Sequence, residues 1–296
     1  MGQRQHFLPQ VYLRQWCIDG CVLRYRRVGP AGRLEVARKA PRGIAFEPDL
    51  YSLPVGGIAN GMTGNELEAR LASTVDAQLP ELVERVSACS GELTDEPLRG
   101  EVVWLMQTFA SRSPTSIARV EKAVTELLEG QAATIERLLA RANTESSRAE
   151  LLKYQDARMP MVAARAGVAA VAARDLPSDL RWLDGDLHVV HLERVEHHVC
   201  AVGANEFVTF EDPVVAWDSG SYGLIASFTI SPAVLLLVVE RGRAIALPEY
   251  EDAAIRHSLI PPRYRENLIS RTEVTGHVLE VAEKLRPLSS GTRSSP

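Results

Sequence analysis

The hydrophobic spacing of this chain changes period twice, and that change constrains the fold more than any motif does. Cys21-Val22-Leu23-Arg24-Tyr25-Arg26-Arg27-Val28 alternates with period two, Gly29-Pro30-Ala31-Gly32 is a turn cluster, and Arg33 to Arg38 reads as the return strand of a hairpin. Proline and glycine then punctuate the chain from Pro41 to Gly64. Over residues 65–174 the spacing is helical: Leu67, Leu71, Val75, Leu79, Leu82, Val83 and Val86 recur on one face. Thr94-Asp95-Glu96-Pro97 supplies an N-cap and a first-turn proline, so a helix is predicted from there to about Ser113-Pro114. A second should run from Thr115 or Ser116 toward Ala142 and a third from about Ser146 to Arg174.

Strand patterning returns over 187–245, with candidates at Leu187–Leu192, Val199–Val202, Phe207–Phe210, Ile225–Ile230 and Leu235–Glu240. After Pro248 the pattern predicts short helices around 249–257 and 262–270 and a longer one from Glu273 to Leu285. Segregated rather than alternating strands and helices predict an α+β fold. The N-terminal β-hairpin and the later strands should form a mainly antiparallel sheet, with a central helical block at about 65–174 and C-terminal helices. Residues 1–286 are expected to be one α+β domain, the helical block inserted between strand regions, followed by a polar, disordered tail over 287–296.

Charge and composition exclude some functions. A net charge of −5 argues against attraction of the whole protein to nucleic acid or to anionic membranes. The longest apolar stretches, Met159–Ala173 and Ile230–Val239, are shorter than the roughly 20 residues that span a bilayer. The opening MGQRQHFLPQ lacks the apolar core of a signal peptide, so a cytoplasmic location and no membrane contact are expected. Cys17, Cys21, Cys89 and Cys200 have no zinc-site spacing and read as small hydrophobes in a reducing compartment. Locally, residues 1–43 hold nine Lys or Arg against Asp19 and Glu35, a net of +7. That hairpin could contact nucleic acid, or be the wet face of a sheet. The chain holds no GxGxxG after a strand, no GxxxxGK[ST], no HExxH and no GxSxG.

His6-Phe7-Leu8-Pro9-Gln10-Val11-Tyr12-Leu13-Arg14 resembles the start of an uncharacterised bacterial domain-of-unknown-function family that opens with a string like HYVPQFYLR, six of the nine positions being identical. Phe207 to Val214 is similar to that family's FITSDNPV, with Phe210-Glu211-Asp212 standing where the family has Ser-Asp-Asn. Ile230-Ser231-Pro232 resembles its later LSP, and Tyr51, Glu68 and Arg112 fall where looser family positions would lie. The resemblance covers about the first 235 residues. It implies a fold of this length and supplies no established catalytic residues.

Physical reading of these residues gives candidates. Pro9 suits the first position of a short helix, from which Tyr12, Leu13 and Trp16 share one face and Gln10 and Arg14 another. His6 precedes that helix N-terminus, where partial positive charge disfavours protonation and leaves a neutral imidazole able to take a proton or bind a metal. Alternatively, His6 and Gln10 lock the turn through backbone hydrogen bonds. Glu211 and Asp212, adjacent carboxylates at a strand end, can hold a divalent cation or act as a base, or can simply form an Asp-Pro turn. Arg112 can grip an anion or cap its own helix. Among the histidines, His188 and His191 diverge on a strand, and Glu196-His197-His198 reads as a solvated turn.

These residues predict a metal-dependent hydrolase or phosphodiesterase-like enzyme. His6, Glu211 and Asp212 would be its catalytic and metal-binding groups, with Gln10, Tyr12 and Arg112 its substrate contacts. Two alternatives stand beside it. One is a non-enzymatic protein of a defence or regulatory system that contacts nucleic acid or a protein partner through residues 1–43. The other is a family member whose departure at Glu211-Asp212 leaves it a protein–protein role.

Overall fold

Arg4–His6 form strand β1, and Pro9, with φ −56°, then launches helix α1 (Gln10–Leu13), which tightens into a 3-10 turn over Arg14–Trp16. The computed structural model describes residues 4–29, 31–52, 64–174, 183–201, 203–216, 223–243 and 267–285. Strands β2 (Val22–Val28) and β3 (Arg33–Lys39) form the predicted antiparallel hairpin. Strand β4 (Phe46–Pro48) returns to pair with β1.

The helical block follows. Helix α2 (Gly64–Leu71) widens into a π-helical turn over Ala72–Asp76, and α3 (Leu79–Ser87) leads to the short strand β5 (Gly91–Glu92). Helix α4 (Glu96–Arg112) starts as its sequence requires: the Asp95 side chain accepts from the Leu98 amide, and Pro97 fills a position whose N–H needs no partner. Ser113 ends α4 and caps α5 (Pro114–Arg141), accepting from the Ser116 amide. The single helix predicted over 146–174 is two, α6 (Glu145–Lys153) and α7 (Met159–Ala172). Asp156 accepts from the Arg158 amide in the break, and Pro160 opens the second helix rather than continuing the first. The Trp104 indole N–H donates to the Val171 carbonyl at 2.8 Å and Arg165 pairs with Glu121 at 2.7 Å, tying α7 to α4 and α5.

Strand β6 (Asp186–His191) runs into α8 (Leu192–Ala201), so Val199 to Ala201, predicted extended, are helical. Val195 and Val199 are both fully buried, four residues apart, which is the helical period and not that of a strand. Then come β7 (Thr209–Phe210), β8 (Val214–Ala216), β9 (Leu224–Ser231), β10 (Val234–Val239), β11 (Asn267–Ser270) and helix α9 (Gly276–Glu283). Residues 267–270, predicted to end a helix, pair instead with β2 and β7. The helix predicted at 249–257 and the tail over 287–296 lie outside the described residues.

The fold is α+β with antiparallel sheets, as predicted, but the strands of the described residues divide among three. One holds β5-β6-β10-β9-β8, another β3-β2-β11-β7, and a third β1-β4. The hairpin therefore shares a sheet with β7 and β11, not with the run from β8 to β10. Strand β10 is apolar and buried throughout, and its alternation explains the layering. Val234, Leu236 and Val238 join the core shared with α1 to α4 and α7, while Leu235, Leu237 and Val239 join the core shared with α8, α9 and Phe207. Each such side chain contributes about 2 kcal/mol relative to exposure. Among the described residues no helix is long and apolar enough to cross a membrane.

Candidate active site

Helix α1 has two faces, and they do different work. Tyr12, Leu13 and Trp16 are fully buried, and the Trp16 indole donates to the Phe207 carbonyl at 2.9 Å. Gln10 and Arg14, one helical turn apart on the other face, line a cleft of about 370 Å³. His6 enters that cleft from β1, Glu68 from α2, Asp76 from the π-helical turn and Arg112 from the last turn of α4. The π-helical turn matters to this geometry. Ala77 donates to the Ala72 carbonyl at 3.1 Å, five residues back, and the widened turn carries Asp76 at its end. Such turns occur disproportionately at functional sites.

Arg112 organises the inner wall. Its side chain is 2% exposed. One terminal nitrogen donates to Asp76 Oδ1 at 2.9 Å and the other to the His6 carbonyl at 2.8 Å, while Nε faces the Tyr51 hydroxyl at 3.4 Å. The Tyr51 hydroxyl donates in turn to the Arg112 carbonyl at 3.1 Å. Burial penalises the guanidinium charge, but Tyr51 and Asp76 outweigh that penalty and hold Arg112 above its ordinary range. Burial also raises the Tyr51 phenol, so at neutral pH Asp76 is the charge that balances Arg112. With its fork turned toward protein atoms, Arg112 fixes the relative positions of β1, the π-helical turn and α4.

Two other groups have shifted protonation. Burial lowers the His6 imidazole; the Arg42 backbone opposes this and the Arg112 charge adds to it, leaving His6 neutral at pH 7. Neutrality was predicted from the helix N-terminus, but its main cause is desolvation. The His6 Nε2 is enclosed and has no hydrogen-bond partner among the described residues. Burial raises the Glu68 carboxyl, while the His6 backbone amide and the Arg112 charge only partly offset the shift. A histidine held below its ordinary range and a carboxyl held above its own therefore border one cleft, and environments that shift two groups in this way separate acid from base roles in enzymes. Arg14 is exposed and has no ion-pair partner among the described residues.

The cleft thus unites His6, Gln10 and Arg112 of the predicted set and adds Arg14, Glu68 and Asp76. Tyr12 is not among the residues lining the cleft. Two residues round the helix from Gln10, it is fully buried, and its hydroxyl bonds Thr209 Oγ1 and the Thr229 carbonyl, both at 2.7 Å. Glu211 and Asp212 are not among the residues lining the cleft. Glu211 is buried and accepts from the Asn267 amide at 2.7 Å, joining the ends of β7 and β11. Among the described residues no group of three or more His, Cys, Asp or Glu side chains is placed to hold a metal ion.

The basic hairpin is partly neutralised within itself. Arg24 and Arg26 share Glu35 at 2.9 and 3.3 Å, Arg27 donates to the Gly32 carbonyl, and Arg38 lies 3.7 Å from Asp19. Of the histidines elsewhere, His188 is buried in β6, His191 Nε2 meets the Cys89 carbonyl at 2.6 Å, and His197 lies in α8 rather than in a turn. All four cysteines are free.

Sequence reasoning missed Glu206. It is fully buried, and its Oε1 accepts from the Arg271 and Thr272 amides at 2.5 and 2.7 Å, pinning the turn after β11. It also missed Asp76, which only the π-helical turn brings to Arg112. Glu68 had one signal, its place in the resemblance.

A family profile described as a protein of unknown function, DUF4238, matches residues 4–255. No curated protein and no solved structure matches the chain.

Proposed function

We propose, for a chain that belongs to the DUF4238 family of proteins of unknown function, that the cleft between His6 and Glu68 is the active site of a hydrolase. The observation that carries this reading is convergence. His6, Gln10, Arg14, Glu68 and Arg112 come from three distant segments, yet all five border one cleft, with Tyr51 behind it. Core packing alone does not call for a histidine, a glutamine and a carboxyl at such a place.

In this reading His6 takes a proton from water as the water oxygen bonds to the phosphorus or acyl carbon of an ester. The bond to the leaving oxygen breaks, and Glu68 gives that oxygen its proton. Passing the proton from His6 to Glu68 restores the starting state. The enclosed Nε2, an acceptor left without a partner, is the atom assigned to the base, because such an atom is costly unless water or substrate completes it. Gln10 and Arg14 face the substrate, and Arg112 is a positioning residue held by Asp76.

The test is a pH–rate profile on nitrophenyl esters and phosphodiesters. A neutral base and a protonated acid give a bell-shaped curve. His6→Gln should remove the acidic limb and Glu68→Gln the alkaline limb, each with a loss of about 100-fold. Absence of turnover across the panel, or profiles unchanged in both variants, overturns the reading.

A further inference from the structure

We propose that this cleft takes a singly charged phosphodiester and discriminates against the doubly charged phosphate of a monoester, with Arg14 as the residue that sets the preference. The proposal rests on the hydrolase reading for its reaction, but the ligand it names can be tested by binding alone.

The argument is a charge inventory of the lining. Arg112 and Asp76 form an ion pair at 2.9 Å and cancel. The Arg112 fork is further occupied by the His6 carbonyl, so it does not present a free pair of donors to an anion. His6 is uncharged at neutral pH. Arg14 is then the cation left to meet a ligand, exposed and without an ion-pair partner among the described residues. It lies four residues from Gln10 on the same helix face, so a guanidinium and a carboxamide can donate together to two oxygens of one group. One positive charge matches one negative charge. A second negative charge would meet Asp76, which is already paired, and Glu68, which would have to stay protonated to receive it. In a cleft shielded from water on its inner side such like-charge contact is not screened as it is in solution. The volume, about 370 Å³, suits a ligand of roughly mononucleotide size and lies at the small end of ligand pockets.

The experiment uses the whole chain and two probes at pH 8, dimethyl phosphate as the monoanion and sulfate as the dianion. Saturation transfer to the methyl protons of dimethyl phosphate reads its affinity, and displacement by sulfate reads the competitor. Dimethyl phosphate should bind at least about tenfold more tightly than sulfate, the scale of one unpaired like charge. Arg14→Ala should lose most of that affinity at unchanged thermal stability, and Arg14→Lys should recover part of it. Glu68→Gln, which removes the carboxyl that a second negative charge would meet, should narrow the gap between the probes. Sulfate binding as tightly as dimethyl phosphate, full affinity in Arg14→Ala, or no binding of either probe overturns the proposal. Selective binding with no turnover of any ester would leave it standing and remove the hydrolase reading. Turnover with no preference between the two charges would do the reverse.

Discussion

The guanidinium of Arg112 donates to the backbone carbonyl of His6 at 2.8 Å across 106 positions of sequence. With the Tyr51 hydroxyl, which reaches the carbonyls of both residues, that bond ties strand β1 to the end of α4 at the edge of the cleft. Because the Arg112 side chain is also paired with the partly exposed Asp76, its removal leaves that carboxylate without its cation and a carbonyl without its donor.

Arg112→Ala should therefore destabilise the protein by about 3 kcal/mol. Arg112→Lys should recover little, since an ammonium cannot reach Asp76 and the His6 carbonyl as a planar fork does. Urea denaturation of both variants checks this. A loss in the lysine variant much smaller than in the alanine variant would mean that charge alone, not the fork, holds the wall.

The pH dependence of stability separates His6 from Glu68. The His6 value is depressed on folding, so its contribution is complete above about pH 6.5 and is lost as pH falls through the folded value. His6→Gln should then lose less stability than the parent on acidification from pH 7. The Glu68 value is raised, so its contribution is complete below about pH 4.3 and is lost as pH rises through the folded value. Relative to the parent, Glu68→Gln should accordingly be more stable at pH 7 than at pH 4. Urea midpoints at three pH values measure both trends.

Tyr12 and Glu211 should behave as structural residues. Tyr12→Phe removes two buried hydrogen bonds and should cost about 1–2 kcal/mol while leaving ligand binding in the cleft intact. A binding defect in a variant of normal stability would return Tyr12 to the substrate contacts.

Gly203 sits at φ +97°, and a Cβ there would lie 1.8 Å from the Thr275 carbonyl oxygen. The Thr275 amide donates to the Gly203 carbonyl at 2.6 Å, so the two backbones cannot separate without losing that bond. Gly203→Ala should destabilise by more than about 2 kcal/mol, combining strain and clash. A melting temperature equal to that of the parent would contradict this close approach.

Parts of this structure were legible in the chain because their causes are local. Asp95-Glu96-Pro97 marks the start of α4 by capping chemistry alone, and the period-two run at Cys21–Val28 marks β2. The two faces of α1 follow from helical geometry, which alone places Gln10 and Arg14 on one side of the helix. Where tertiary contacts decide, the reading failed. Val199 is apolar enough for a strand, but only burial beside Val195 fixes it as helix. Leu268 and Ile269 lie in a segment of helical spacing and become a strand because β2 and β7 leave a gap between them. Glu211 and Asp212 are adjacent carboxylates in the sequence, but the Asn267 amide that occupies Glu211 is 56 positions away. Asp76 is one acid among many on helical surfaces until the π-helical turn and Arg112 single it out.

The most direct test of the central claim compares Glu68→Gln with Glu211→Gln in the hydrolysis of an activated phosphodiester such as bis(p-nitrophenyl) phosphate. The cleft account predicts that Glu68→Gln loses about 100-fold in rate while remaining folded. It predicts that Glu211→Gln keeps the parent rate and loses only stability, because its carboxylate serves the Asn267 amide. Parent-like hydrolysis by Glu68→Gln together with a collapse of activity in a folded Glu211→Gln would contradict the account and move the active site to the end of β7.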